Sequence, residues 1–229
     1  MMNEIKAHSM SGLKSILFRI ILVLLMIQIL DNIIIFSTVH AIIQNPGIPK
    51  FRLISSVSQI IVFVLFIVSL KPSADELGVF WADIRKPAKI AYLVGGSAVL
   101  LLVISSYFIM NGIKYFALAT NIHFGLTTPV FEEVIFRGYC WDQLRKNNFS
   151  NRATCIITSV IFGIFHLGYY FQIEYATRFH PEAPPMAQIM LTKILFGTVL
   201  GFMMGLIRWK SKKVFGPIII HAILNIVGR

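Results

Sequence analysis

Charged residues are scarce in this chain: Asp, Glu, Lys and Arg make up only 14% of its 229 residues, against 56% hydrophobic residues. This composition excludes an ordinary soluble domain, in which about a quarter of the residues are charged. The charged residues stand mostly between long apolar runs, as expected for a protein that crosses a membrane several times. The net charge of +11 could indicate nucleic-acid binding, but basic loops flanking membrane spans account for it.

Cysteine is also rare. The only two cysteines, Cys140 and Cys155, cannot form the disulfide framework of a small secreted domain. The sequence has no low-complexity tract, no internal repeat and no soluble domain, so we treat residues 1–229 as one membrane domain. The first apolar run, residues 20–39, is longer than the core of a signal peptide and lacks a good cleavage site. We therefore expect a retained first span.

Seven apolar stretches predict an all-α fold, a polytopic transmembrane helical bundle with a polar cavity inside the membrane. Most stretches approach the roughly 20 residues that a spanning helix needs. The last has only 14 residues, with Gly216 and Pro217 near its start, which predicts a tilted or re-entrant segment. The stretches are residues 20–39, 53–70, 88–110, 117–141, 153–171, 186–207 and 214–227.

The basic residues predict the orientation of the chain. Fourteen of the 21 Lys and Arg residues lie in the N-terminal tail and in alternate loops on one side of the membrane, and six lie on the other side. The remaining one, Arg137, is inside a span. Because cytoplasmic loops carry the excess of Lys and Arg, the N-terminus is predicted to be cytoplasmic.

A ridge of small residues predicts one close helix contact. Gly197, Gly201 and Gly205 are spaced four residues apart, which brings them to one face of a helix where a neighbouring backbone can approach. We expect a contact inside the chain, and a dimer interface is the alternative.

Two adjacent acids and a base, Glu132, Glu133 and Arg137, lie inside the fourth apolar stretch. A charge there costs at least about 2.5 kcal/mol, so intramembrane acids suggest a function. Glu133 and Arg137 are i,i+4 neighbours on a helix and can pair, whereas Glu132 points about a hundred degrees away and is free to act as a general base. A purely structural ion pair is the alternative, but it needs no second acid. Pro129, just before the acids, predicts a break or restart of the helix.

Two further stretches place polar groups at a similar depth. His166 follows Phe162 by four residues, and His221 precedes Asn225 by four, so each pair shares a helical face. Glu132, His166 and His221 all lie near the middle of their stretches. One shared cavity is therefore geometrically allowed.

These motifs, in this order, resemble those of the CAAX-protease and bacteriocin-processing family, the Abi-type intramembrane peptidases that include the type II CAAX prenyl endopeptidases. They are Glu132-Glu133-x-x-x-Arg137, Phe162-x-x-x-His166 and His221-x-x-x-Asn225. The resemblance covers about residues 128–225 and implies a catalytic core over about residues 117–229. It implies an intramembrane endopeptidase of the bacterial cell membrane that cleaves a peptide or a membrane-proximal C-terminal segment. The expected partners are this substrate and the lipid bilayer, with no nucleic acid.

The resemblance also implies a role for each of these residues. Glu132 and His166 would activate a water molecule, and His221 and Asn225 would bind the oxyanion. The site would be supported by Glu133, Arg137 and Phe162. The acids and histidines could in principle ligate zinc, but the sequence contains no His-Glu-x-x-His motif, and a glutamate–histidine mechanism needs no ion. We therefore predict no required cofactor and no metal ligands, with a divalent ion such as zinc as the alternative.

Two other functions fit the same residues. A non-catalytic immunity or assembly protein could bind a peptide in the cavity without cleaving it. A proton-coupled transporter could use the two glutamates and the arginine as a relay, although the inverted repeats typical of transporters are not found in the sequence. The endopeptidase accounts for all three motifs, so we place it first.

Overall fold

The computed structural model describes residues 2–44, 46–110 and 112–228, and this part of the chain contains helices and no strands. The pieces join into seven continuous helices, so the predicted all-α bundle is confirmed. Their bounds are Met2–Ser37 for α1, Ile48–Leu70 for α2, Lys86–Ile109 for α3, Lys114–Ile122 through Trp141–Lys146 for α4, Asn151–Thr177 for α5, Met186–Ser211 for α6 and Phe215–Val227 for α7.

Five of these helices, α1, α2, α3, α5 and α6, are long and apolar enough to cross a membrane. Their outer faces expose large hydrophobic side chains: Phe196 is 73% exposed, and Leu101 is 66% exposed. Such surfaces would be unstable in water and are stable against lipid tails. The protein is therefore an integral membrane protein.

Helix α4 is the most enclosed of the seven. Every residue from Phe131 to Gly138 is buried, including both glutamates and Arg137. It is not among the five helices that qualify as spans by composition. The other helices shield its polar side chains from lipid, which is the arrangement expected for ionisable groups inside a membrane protein.

The predicted break at Pro129 is wrong, because α4 continues through it. Thr128, just before the proline, has helical dihedral angles (φ −62°, ψ −47°). The helix is instead widened on both sides of Thr128–Glu133, by the π-helical segments His123–Thr127 and Val134–Cys140. A proline ring clashes with the carbonyl four residues earlier in a regular α-helix, and a wider turn relieves that clash without ending the helix.

Helix α7 is short, as its sequence predicts. Its 13 residues span about 20 Å at 1.5 Å per residue, less than the roughly 30 Å of a bilayer core. Pro217 lies in its first turn, where the missing N–H has no intrahelical acceptor to lose. That α7 is tilted or re-entrant in the bilayer stays a prediction.

The glycine ridge of α6 packs against α5, so the predicted contact inside the chain is confirmed. A Cβ atom built on Gly201 would lie 3.0 Å from the Cα of Ser159, and one built on Gly205 would lie 2.7 Å from the Sγ of Cys155. The facing residue on α5 is Gly163, whose Cβ would lie 2.7 Å from the carbonyl oxygen of Ile194. Missing side chains on both helices let their backbones approach.

Gly163→Ala tests this contact. The added methyl group would overlap the Ile194 carbonyl, and overpacking of this kind costs about 1–3 kcal/mol. We expect a lower free energy of unfolding in detergent micelles, followed by thermal or denaturant unfolding. Gly96→Ala in α3 is the control, because no atom lies within 4 Å of its Cβ position. Equal losses in both variants would contradict close α5–α6 packing.

Candidate active site

The i,i+4 pair between Glu133 and Arg137 is present at the centre of the bundle. Arg137 Nε lies 3.3 Å from Glu133 Oε2, and both side chains are fully buried. Arg137 Nη2 donates to the carbonyl oxygen of Gly201 at 2.8 Å, and the guanidinium carbon lies 4.4 Å from the centre of the Phe162 ring. The arginine therefore neutralises one of the two glutamates and is held by groups from α5 and α6.

The other glutamate, Glu132, is also buried but has no basic partner of this kind. Its Oε1 accepts a hydrogen bond of 2.8 Å from the Tyr169 hydroxyl. Its Oε2 lies 3.8 Å from His221 Nε2, too far for a hydrogen bond. Among the described residues, none donates a hydrogen bond to Oε2. One oxygen of Glu132 is thus fixed, and the other is available for a small ligand such as water.

His221, on α7, lies between the two acids. Its Nδ1 lies 2.8 Å from Glu133 Oε1. A carboxylate paired with arginine can only accept, so Nδ1 must carry a proton and donate it to Glu133. Nε2 then faces Glu132.

His166 lies where α5 changes from α-helix to a 3₁₀ turn. Its Nδ1 donates to the carbonyl oxygen of Phe162 at 2.8 Å, which leaves Nε2 of the neutral ring as an acceptor. Its ring centre lies 5.8 Å from that of Tyr169, the residue that donates to Glu132. A Cβ atom on Gly197 would lie 2.9 Å from the imidazole, so the glycine ridge also makes room for this ring.

The turn that carries His166 and Tyr169 is positioned by polar residues of α1. Gln28 Nε2 donates to the carbonyl oxygen of Phe165 at 3.2 Å, just before the turn. Asn32 Nδ2 donates to that of Gly168 at 2.9 Å, inside it. A 3₁₀ turn leaves backbone carbonyls exposed, and in an apolar environment each needs such a donor.

Asn225 lies at the edge of the cluster. Its Nδ2 donates to the carbonyl oxygen of Phe124 at 3.0 Å, in the first π-helical segment of α4. One N–H proton is thus used by the backbone, and the second is left for another acceptor. The structure brings the other six predicted site residues into one connected group: Glu132, Glu133, Arg137, Phe162, His166 and His221.

Tyr169 is the residue that sequence reasoning missed. It follows His166 by three residues, and Tyr170 stands beside it, so the sequence alone does not say which tyrosine faces inward. The 3₁₀ turn decides this by directing Tyr169 towards Glu132. The available signal was a hydroxyl one turn after a candidate catalytic histidine in an apolar run.

Groups that could ligate a metal ion are the next feature of this cluster. In the part of the chain that the structure describes, no three His, Cys, Asp or Glu side chains are grouped to hold an ion. Glu133 is already engaged by Arg137 and His221, and one nitrogen of His166 is engaged by the backbone. That the protein needs no metal ion stays a prediction.

Comparison with known proteins gives the class of the site. Residues 114–227 match the family model of the type II CAAX prenyl endopeptidases described as Rce1-like. These residues run from the first residue of α4 to the last of α7, and they contain all three motifs. The chain is therefore a membrane protease and belongs to this family through its C-terminal half. No curated protein matches the chain, and no solved structure matches it.

The central ion pair gives a stability prediction. Arg137→Gln leaves the Glu133 carboxylate buried without its cation, which costs about 3–5 kcal/mol. We expect a large drop in the free energy of unfolding in detergent. Lys146→Gln is the control, since Lys146 pairs with Glu76 and Asp142 while half exposed, and such pairs contribute about 0–1 kcal/mol. Similar losses in both variants would mean that the buried pair does not stabilise the bundle.

Proposed function

We propose that this protein is an intramembrane endopeptidase in which Glu132 and His166 activate a water molecule for attack on a peptide bond. The observation that supports it most is the hydrogen-bonding pattern around these two residues. Among the described residues, none donates to Glu132 Oε2 or to His166 Nε2, while the other carboxylate oxygen and the other ring nitrogen are fixed by Tyr169 and Phe162. The substrate is a peptide or a membrane-proximal C-terminal segment of a protein.

Two acceptors suit the activation of water. A water molecule that donates one hydrogen to Glu132 and one to His166 has its lone pairs directed away from both. As the oxygen bonds to the carbonyl carbon of the substrate, Glu132 takes the proton. That proton then passes to the leaving nitrogen as the C–N bond breaks. The products are a new carboxylic acid and a free amine, and no other reactant is needed.

The oxyanion is assigned to His221 and Asn225. Arg137 pairs with Glu133, which also accepts from His221 Nδ1, and His221 Nε2 lies 3.8 Å from Glu132 Oε2. The oxyanion is assigned to Nε2–H of His221 with a proton on both ring nitrogens. Asn225 contributes its second N–H. One donor aimed at an oxyanion is worth roughly 3–4 kcal/mol.

The setting of the enzyme is part of the same proposal. We place it in the bacterial cell membrane with a cytoplasmic N-terminus, on the resemblance and the distribution of Lys and Arg. It acts on a peptide or protein at the bilayer, with no nucleic acid and no required cofactor.

Glu132→Gln is the direct test. The probe is an internally quenched peptide ending in S-farnesyl-cysteine followed by Val-Ile-Ser, with its unprenylated counterpart, cleaved by protein in lipid nanodiscs. Loss of the general base should lower kcat about 10²–10⁴-fold. Glu174→Gln, in a partly exposed pair with Arg178, should keep the wild-type rate.

The outcomes separate the candidate functions. Cleavage by the Glu132→Gln variant at the wild-type rate would exclude this mechanism. Binding of either peptide without cleavage by the wild-type protein would favour a non-catalytic peptide-binding protein. The ratio of the rates for the two peptides shows whether the prenyl group is part of the substrate.

Tyr169→Phe tests how Glu132 is positioned. Loss of the hydroxyl removes a hydrogen bond to a carboxylate, worth about 1.5–3 kcal/mol, which corresponds to a drop in kcat of about 10- to 100-fold. KM should change little, because the hydroxyl does not face the substrate. Tyr170→Phe is the matched control, since Tyr170 is exposed and packs on Phe171. Equal kcat values for the two variants would exclude a positioning role.

A further inference from the structure

A second cation, Arg52 near the start of α2, is half-buried against α4 and has no acidic partner among the described residues. Its guanidinium carbon stacks 4.5 Å from the centre of the Phe124 ring and lies 5.9 Å from that of Phe51. Its Nε is buried and donates no hydrogen bond. A guanidinium in a membrane helix is costly unless it is paired, so an anion from outside the chain would be a favourable partner for Arg52.

Arg52 is close to the edge of the candidate active site. The residue on which it stacks, Phe124, is the one whose carbonyl oxygen accepts the hydrogen bond from Asn225. The cation therefore lies one side chain away from a predicted oxyanion donor. A long side chain at a membrane helix end often extends to the surface, but stacking on Phe124 holds this one against α4.

The face of α2 that carries Arg52 follows α4 towards Glu132. Gln59, two turns after Arg52, accepts a hydrogen bond of 3.1 Å from Thr128. Thr128 precedes Glu132 by four residues and so lies one turn before it on the same face. The two helices run in the same direction here.

The spacing suits a short peptide segment. Phe124 precedes Glu132 by eight residues, which is at most about 12 Å at the α-helical rise of 1.5 Å per residue, since the wider π-helical turn His123–Thr127 rises less. An extended peptide covers about 3.3–3.6 Å per residue, so three or four residues bridge this distance. A substrate whose scissile bond is at Glu132 can therefore place its chain end beside Arg52.

We infer that Arg52 binds the C-terminal carboxylate of the substrate. A guanidinium presents two parallel N–H donors that match the two oxygens of a carboxylate, and the pairing would neutralise both charges. Arg52 thereby selects chain ends over internal segments and fixes the distance from the end at which the bond is cut. This inference rests on the proposed endopeptidase function and adds the chemical group by which the substrate is recognised.

The test compares two peptides that differ in one group. Both end in S-farnesyl-cysteine followed by Val-Ile-Ser, one with a free carboxylate and the other with a carboxamide. We expect wild-type kcat/KM to be at least about tenfold higher for the acid, as for a charge-assisted pair of about 1.4 kcal/mol. The ratio of kcat/KM for the acid to that for the amide should fall to about one in Arg52→Gln. In Arg52→Lys it should lie between one and the wild-type ratio.

Lys50→Gln is the matched control. Lys50 lies two residues earlier on α2 with an exposed side chain, and its replacement should keep the wild-type ratio. Equal cleavage of the acid and the amide by the wild-type protein would overturn the inference, whether or not the variants fold. An acid-to-amide ratio that Arg52→Gln leaves unchanged would also overturn it. An equal loss of cleavage for both peptides would overturn it too, because it would indicate that Arg52 binds a lipid phosphate or has a structural role.

Binding separates this inference from the proposed chemistry. In Glu132→Gln protein, which holds the substrate without cutting it, the acid should bind at least about tenfold more tightly than the amide. If the wild-type protein cleaves neither peptide, the proposed function fails, and the same binding ratio still tests Arg52. Peptides with two to six residues after the cysteine complete the test: cleavage should peak at three or four, and indifference to length would contradict the inference.

Discussion

The rest of the structure depends on the buried ion pair between Glu133 and Arg137. Two charges can stay in an apolar bundle only if each is neutralised and its remaining hydrogen-bonding groups are satisfied. Arg137 is neutralised by Glu133, donates to the carbonyl oxygen of Gly201 and stacks on the Phe162 ring, while Glu133 also accepts from His221. The pair thereby joins α4 to α5, α6 and α7, and it leaves Glu132 outside the ion pair.

Close packing of α5 and α6 is the second condition for the site. Gly201 is both a contact with α5 and the place where the Arg137 guanidinium fits, since a Cβ there would lie 3.1 Å from Nη2. Gly197 makes the same room for the ring of His166. The glycines that bring two backbones together therefore also create the space in which Arg137 and His166 lie.

Features that depend on regular helix geometry could be predicted from the sequence. The number of helices, the pairing of Glu133 with Arg137 and the contact of the glycine ridge depend on spacings of 3.6 and four residues, and all are present. The π-helical segments of α4 could not be predicted, because whether Pro129 breaks or widens a helix depends on its neighbours. Tyr169 was missed, since the 3₁₀ turn is held by Gln28 and Asn32 of a distant helix. The bond from Asn225 to a backbone carbonyl has no sequence signal.

The polarity of α4 has a consequence for how the protein is made. A helix with two acids and an arginine does not partition into a bilayer readily by itself, and the internal pairing of Glu133 with Arg137 removes only part of the penalty. During synthesis α1, α2 and α3 leave the ribosome first, so they are available to pack against α4 when it arrives. Biogenesis of the second half should then depend on the first, even though the three motifs all lie in the second.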